Sequence, residues 1–456
     1  MGHTPWPTDQ DAALVLALIG AEQPLRDGLA NTAAPLTLRR RAAESLGLLA
    51  KRCGDRDQRD RIGKELEGWL RSDARNLLVL DDEGWAEHDA RLPLLQGASR
   101  GLQLAASADL PLFGGGEEKP VPMLTLTALE EGGGLRIRTE VVEVPVWTLP
   151  LPGGEQLELV VVPAGPAQLG SPATEHDRQT VMDYSATNRD GCKGVDVEVQ
   201  RRVRLEAFAL VRQPLSQGQW RAVVEAVGQS EQELDGALGA AKPESLWDQY
   251  GQPGELAVDS VSWHMSREWL QRLNRWLQEQ WPELGGSGEA PQLVLPSENQ
   301  WEGACRAGTT TPFHFGDTLD ASWARYDAST TFGRGRKGAK TKQPGLNGFS
   351  GLVNRWGLAE LHGQLYEWCE DSWHPNPVAE GHPEDGEPWR EREEDEDLVR
   401  RESGQRGWKL LRGGSWINDP HLCRAACRGS DPPAHSYPLV GFRPCYLLPP
   451  GSLLGA

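Results

Sequence analysis

Two short motifs near the C-terminal end, Leu410-Leu411-Arg412-Gly413-Gly414-Ser415-Trp416 and Gly441-Phe442-Arg443-Pro444-Cys445, enclose the 24 residues 417–440, where several reactive side-chain types gather. Cys423 and Cys427, with Cys445 just beyond, offer thiols that could bind a soft metal or approach closely enough for a disulfide. His421 and His435 could ligate a metal, but no third ligand accompanies them in the sequence. Asp431, His435 and Ser436 are the residue types of a hydrolytic triad, without the strand-turn-helix context that presents such a nucleophile. Residues of ordinary anchoring type (Asn418, Pro420, Cys423, Arg424, Ala425, Ala426, Arg428) alternate with a chemically unrelated set that follows neither the helical nor the strand period. A fixed frame around arbitrary side chains reads as a display surface rather than a catalytic centre.

The elements that must hold this segment are short and aromatic-rich. Of 18 tryptophans most lie from Trp147 onward, and Trp fills a core while demanding a partner for its N–H. Strands and loops dominate this part, with helices expected over 216–227, N-capped by Ser216, and over Ser262–Gln280. In the second, Trp263, Trp269, Leu270, Leu273, Trp276 and Leu277 form a broad apolar face, which is core rather than a cofactor box. His264 and Arg267 fall outside that role. Pro296-Ser297-Glu298 reads as a further helix entry, with Ser297 as N-cap and Gln300 closing a capping box. Glu367 has the chemistry to pair in the interior with Arg412 or Arg443.

Residues 1–110 read as a small helical domain, with apolar faces over Asp11–Ile19, Leu36–Cys53 and Arg59–Leu70; the second resembles one HEAT-like unit. Gly-rich turns over Phe113–Pro120 and Glu130–Gly134 mark residues 111–150, read as a linker with short strands over Met123–Leu129 and Leu135–Val144, followed by a strand over Leu157–Val162. A charged insertion over 378–406 reads as a solvated excursion, and its carboxylates alone do not define a calcium loop. The basic run Arg334, Arg336, Lys337, Lys340, Lys342 reads as a solvated, glycine-rich loop.

A net charge of −19 and pI near 5.1 argue against nucleic-acid or anionic-membrane binding through the global field. No stretch is long and apolar enough to span a bilayer, and the acidic N-terminus lacks the basic region of a signal peptide. Seven cysteines with no CxxC pair suit a reducing, cytoplasmic setting.

The order of motifs from Leu159 to the C-terminus is more specific than any one of them. Leu159-Val-Val-Val-Pro-Ala-Gly precedes Leu169-Gly-Ser-Pro, Glu175-His-Asp-Arg, Arg212-Gln-Pro-Leu-Ser-Gln-Gly-Gln-Trp and Val258-Asp-Ser-Val-Ser-Trp. Leu295-Pro-Ser-Glu-Asn-Gln-Trp-Glu-Gly-Ala-Cys-Arg-Ala-Gly, Phe313-His-Phe-Gly-Asp and the run from Asn354 to Asp371 lead into the two closing motifs. This series resembles the formylglycine-generating enzyme (sulfatase-modifying factor) family over about residues 155–448. The resemblance implies an α+β, C-type-lectin-like domain over 151–448, preceded here by the helical domain.

The resemblance also sets expectations for the site. Oxidative members of the family hold copper between two cysteine thiolates after Gly-Gly-Ser; here Asn418 stands at the first cysteine and Cys423 at the second. The iron-dependent sulfoxide-synthase branch needs histidines four apart in a preceding helical domain, where this chain has only His3 and His88. No cofactor is therefore expected to be required. Calcium stays open through the side-chain carbonyl of Asn354, with Gln364 at a position where the family usually has Asn.

The segment itself resembles the variable region of diversity-generating-retroelement proteins of the same fold family. In those, adenine-directed reverse transcription turns Asn codons into codons that cannot encode Lys, Glu, Gln, Met or Trp. Residues 417–440 contain none of the five. The implied variable region, 416–440, has binding positions at Ile417, Asp419, His421, Leu422, Cys427, Gly429, Ser430, Asp431, Pro432, His435, Ser436, Tyr437, Pro438 and Leu439. The expected function is a non-catalytic display protein of bacterial or phage type. Its partners would be a protein or other macromolecular ligand at that surface and a protein at the helical domain. The alternatives are an oxidoreductase acting on peptide cysteine, built on Cys423 and Cys427, or an invariant interaction module in bacterial signalling or defence.

Overall fold

The computed structural model describes residues 20–66, 119–178, 196–226, 256–340, 350–390 and 407–448, apart from 32, 35, 53, 54, 56, 60, 132, 133, 176, 177 and 287. In the N-terminal part, α1 (Glu22–Ala30) and α2 (Leu36–Arg52) are followed by helical residues at 57–59 and 61–66. Leu25, Leu29, Leu46, Ile62 and Leu66 are buried among these helices. The helix expected over Leu36–Cys53 is present, and Arg59–Leu70 is helical over its described residues; Asp11–Ile19, His3 and His88 lie outside them. Helix α1 has no counterpart in the sequence reading. Its apolar stripe is short (Leu25, Gly28 and Leu29 buried), and an i,i+4 ion pair from Arg26 to Glu22 at 2.8 Å supports it.

Within the stretch read as a linker with short strands, both expected strands, Met123–Leu129 and Leu135–Val144, are present, and they are parts of one long hairpin. Strands β1 (Lys119–Glu131) and β2 (Gly134–Pro150) pair antiparallel from Lys119↔Val146 to Glu131↔Gly134. The far end of β2 then pairs with β3 (Gln156–Val162), Trp147↔Leu159 to Pro150↔Gln156. Val142, Val144 and Val146 alternate onto the buried face while Ile137 and Val141 are exposed, the alternation of a half-buried strand rather than of a tether.

Later strands are β4 (Gly165–Leu169), β5 (Arg201–Leu205), β6 (Phe208–Val211), β7 (Leu293–Val294), β8 (Leu352–Val353) and β9 (Tyr366–Ser372). The last are β10 (Lys409–Arg412), β11 (Arg428–Asp431), β12 (Val440–Gly441) and β13 (Cys445–Leu447). They build a seven-stranded sheet in the order β7-β13-β6-β3-β2-β1-β8, a four-stranded sheet β11-β10-β9-β12, and the pair β4-β5. Helices α3 (Gln217–Ala226), α4 (Trp263–Gln280) and α5 (Glu298–Arg306) pack around them. This is the α+β, C-type-lectin-like architecture.

The helix starts follow their caps. Ser216 Oγ accepts from Gln219 N at 3.2 Å, Ser262 from Met265 N at 3.2 Å, and Ser297 with Gln300 forms a complete capping box. On α4, Trp263, Trp269, Leu270, Leu273 and Leu277 are buried and Trp276 is half-buried, while His264 and Arg267 face solvent. Trp269 stacks on Trp220 of α3 with centroids 6.3 Å apart, and Phe442 meets both rings edge-on. The closing Gly-Phe-Arg motif is thereby locked to the helical layer. Among the described residues no helix is long and apolar enough to cross a membrane.

Candidate functional site

The segment 417–440 hangs from the four-stranded sheet. It leaves β10, returns along β11 (Arg412↔Arg428 to Lys409↔Asp431), and re-enters through β12, parallel to β9. Its first turn needs two glycines. Gly413 (φ 95°) and Gly414 (φ 72°) adopt left-handed backbone, and a Cβ on Gly414 would stand 2.7 Å from Cys423 Sγ.

Four fully buried or nearly buried arginines fix the frame. Arg412 donates to the carbonyls of Ala425, Ala426 and Cys427 and to Glu302 Oε2 at 2.5 Å, so the strand before the segment grips its middle from within. Arg424 holds Glu198 through two hydrogen bonds (2.9 and 2.7 Å) and Glu175 through a third. Arg428 pairs with Glu298 through two (2.6 and 2.9 Å), and Arg443 with Glu367 (2.6 and 2.7 Å). Of the two partners open to Glu367, Arg443 is the one it takes, and Trp301 Nε1 adds a donor at 2.7 Å. Burial would raise the Glu298 carboxyl, but Arg428, Arg412 and Arg201 overcome it and hold it at about 2.

These bonds divide the expected binding positions. Ile417, Asp419, His435 and Ser436 are exposed, and His421, Asp431, Pro432, Tyr437, Pro438 and Leu439 are half-buried. Trp416 Nε1 donates to Pro438 O at 2.8 Å and draws the two ends of the segment together. Tyr437 and Leu439 pack partly on the core, and Leu439 O accepts from Tyr366 N, so these two carry structural weight as well.

Leu422, Cys427, Gly429 and Ser430 are corrected: all four are buried and cannot form a contact surface. Cys427 is 2% exposed behind the Arg412 contacts, and a Cβ on Gly429 would press on Leu411 and Tyr366 at 3.3–3.4 Å. Leu422 lies in the one-turn helix Pro420–Cys423, and Ser430 sits in register with Leu410 in the sheet.

The positions offered for chemistry are committed elsewhere. Asn418 Oδ1 accepts from Ser415 N (2.8 Å) and Ser415 Oγ (2.6 Å), and its carbonyl accepts from Asp327 N. Cys423 is fully buried, and burial followed by the neighbouring Cys427 raises its thiol well above the usual range. Burial pushes Cys427 up to about 12 despite Arg424 and Arg412. A two-thiolate copper site does not fit this pair of positions: one side chain is an amide turned onto Ser415, and the other thiol resists ionisation. The described cysteines, Cys305, Cys369, Cys423, Cys427 and Cys445, are free thiols.

Asn354 does not fit calcium either. Its Nδ2 donates to the carbonyls of Ala304 and Cys305, and its Oδ1 accepts from Trp356 N and Leu358 N, so the oxygen proposed for an ion is taken. Gln364 is buried in left-handed backbone at φ 65°, where its carbonyl receives Trp416 N. Among the described residues no group of three or more His, Cys, Asp or Glu is placed to hold a metal. His435 Nδ1 lies 3.0 Å from Asp431 Oδ1 on the surface, and no hydrogen bond joins Ser436 to that pair.

Two fixed neighbours of the exposed positions were not legible. Thr330 Oγ1 donates to Asp419 Oδ1 at 3.0 Å, and His264, at the start of α4, donates its N–H to Pro433 O. Each contact spans far too much sequence to leave a local signal. Two members of the basic run make ion pairs, Arg336 with Asp320 at 2.9 Å and Lys340 with Asp327 at 2.8 Å, while their side chains stay largely exposed.

The fold and the Arg–Glu frame define a lectin-like scaffold domain. The model of the sulfatase-modifying factor enzyme 1-like domain matches residues 150–446, and the chain belongs to that family. The chain is 28% identical over 162 residues to the serine/threonine-protein kinase pkn1 of Chlamydia caviae, a match covering 35% of this chain and 22% of that protein. Among solved structures it is similar to PvdO from Pseudomonas aeruginosa (22% identity, 66% of this chain, 97% of that one, TM-score 0.44). It is also similar to Treponema denticola variable protein 1 (18%, 67% and 99%, TM-score 0.41) and to a Major Tropism Determinant P3c variant (14%, 75% and 84%, TM-score 0.26).

Proposed function

We propose that this chain is a ligand-binding display protein whose recognition surface is the exposed part of residues 417–440. One observation carries the reading: frame residues Arg412, Asn418, Arg424, Arg428 and Arg443 are buried and bonded, while Ile417, Asp419, His435 and Ser436 between them are exposed. Such a surface can change without cost to its scaffold. Tyr437 and Ile417 supply contact area, and Ser436 and Asp419 supply adaptable hydrogen bonding, for a protein or other macromolecular ligand.

The absence of Lys, Glu, Gln, Met and Trp from the segment supports diversification by a retroelement. The bonds of Asn418 and the burial of Cys423 support a non-catalytic role over oxidation of peptide cysteine. Free thiols at the described cysteines suit a cytoplasmic setting. The genomic neighbourhood tests the retroelement part. A second, near-identical copy of the segment's coding sequence, differing chiefly at adenines and lying near a reverse transcriptase, is expected; neither being present would overturn it.

A further inference from the structure

The charged insertion, read from sequence as a solvated excursion, is docked over its described residues, 378–390. Ser297 Oγ donates to Gly386 O at 2.6 Å, Trp389 N donates to Asp371 Oδ1 at 2.9 Å, and Ser372 N donates to Trp389 O at 2.8 Å. The Trp389 ring stacks on His374 with centroids 3.7 Å apart. Gly386, Glu387 and Pro388 are thereby held as one wall of a cavity of about 180 Å³, whose other walls are α4, β7, the start of α5 and the end of β13. None of residues 417–440 lines it.

The inner lining is apolar. Leu270, Leu293 and Leu295 are buried, and Leu447 beside them is 42% exposed. An apolar cavity of about 150 Å³ takes up benzene, so this one has room for a side chain of Leu or Phe size. The polar groups along that lining are already in use. Asn274 Oδ1 accepts from Leu293 N and its Nδ2 donates to Leu293 O, both at 2.8 Å, and Ser297 and Gln300 bond each other in the capping box. Leu293, on the edge strand β7, therefore has no free backbone pair for an added peptide strand.

Charge lies on the exposed part of the lining. Arg267 of α4 and Arg390 of the insertion both donate to Glu370 Oε1, at 3.2 and 3.4 Å, and the fourth charged residue is the exposed Glu387. The two arginine side chains remain open to solvent, at 44% and 61% exposure. Arg267 also lies over the Trp263 ring, 4.9 Å from its centroid, which restricts its direction. A guanidinium has five N–H donors, so two of them on one carboxylate can take a second, and Glu387 can take a cation. The four charges sum to zero. A ligand of one sign would unbalance them, and a zwitterion matches them.

We propose that this cavity binds a free α-amino acid with a large apolar side chain. The side chain fills the space between Leu270, Leu293, Leu295 and Leu447, the carboxylate lies between Arg267 and Arg390, and the ammonium group faces Glu387. The docked insertion supplies Glu387 and Arg390, so both charges of the ligand are read in part by a segment that looks solvated in sequence.

Calorimetric titration of the full chain with L-leucine tests this, beside three partial ligands: 3-methylbutylamine, which lacks the carboxylate, 4-methylpentanoate, which lacks the ammonium group, and glycine, which lacks the side chain. L-Leucine should bind saturably, and each partial ligand should bind about tenfold more weakly or worse. Arg390→Gln and Glu387→Gln alter exposed side chains, so they should keep the parent's Tm while weakening L-leucine about tenfold each. Against 4-methylpentanoate, Glu387→Gln should cause no loss, because that ligand has no ammonium group. Leu270→Trp, if it folds, should abolish binding by filling the cavity. Absence of saturable L-leucine binding, equal affinity for the partial ligands, or an affinity unchanged in both exposed variants would overturn the proposal.

Discussion

The two halves of the C-terminal segment follow opposite rules. Residues 420–430 run inward: their backbone carbonyls feed Arg412, their own arginines reach Glu198 and Glu298, and their small side chains close against Leu411 and Tyr366. Residues 431–439 run over the surface, held by the Trp416–Pro438 and Tyr366–Leu439 contacts at one end and the His264–Pro433 contact in the middle. On the proposed reading, the surface half would tolerate varied side chains because its neighbour in sequence is held by buried bonds. Rigidity sits in buried charge pairs and freedom sits one turn away.

The largest effect should come from breaking a pair on the rigid side. Glu302→Gln leaves Arg412 and Arg306 without their shared carboxylate, and an unpaired buried charge costs about 3–5 kcal/mol; urea unfolding should show it, and a loss below 1 kcal/mol would deny the frame its role. Gly414→Val, in left-handed backbone against Cys423 and Leu422, should cost about 1–3 kcal/mol by overpacking, with strain added. Asn418→Cys restores the family's cysteine pair in sequence but removes both bonds from Ser415. It should lose about 1–3 kcal/mol and gain no conversion of a cysteine peptide to aldehyde in the presence of copper, as read by mass spectrometry.

Acid should act on the rigid side as well. His362 donates from Nδ1 to Cys423 O, accepts His314 N at Nε2, and is pushed down to about 4, chiefly by burial. A base with a depressed folded pKa contributes stability that is full above its unfolded value, about 6.5, and is lost as pH falls through 4. Unfolding free energy should drop across that window, and the drop should shrink in His362→Gln. The smallest effects belong to the surface: Ile417→Ala, Asp419→Ala, His435→Ala and Ser436→Ala should each stay within about 0.5 kcal/mol of the parent.

Much of this contrast could be read from the sequence. The paired motifs, the Ser297 capping box, the tryptophan face of α4 and the candidate partners of Glu367 all rest on local spacing or on residue types that force a partner when buried. The fold followed from the order of those motifs. The division of the segment was not legible, because Cys427 and His435 look equally out of place until the Arg412 contacts show which one faces inward. Asn354 failed for a related reason: its amide chemistry suits an ion and a helix C-terminus equally, and only the Ala304 and Cys305 carbonyls decide. Both strands of the β1–β2 hairpin were legible, but shorter than they are and as part of a tether, because glycines at 114–116 and 132–134 read as linker and the register that joins the hairpin to β3 depends on pairing beyond any local window.

The central claim is that tolerance to substitution is partitioned within 417–440. Two libraries of the full chain test it, one randomised at Ile417, Asp419, His435 and Ser436, the other at Leu422, Cys427, Gly429 and Ser430, each scored by resistance to proteolysis. The first should fold almost throughout, with stabilities clustered near the parent. The second should be mostly unfolded. Equal survival in the two libraries, or better survival in the second, would contradict the account.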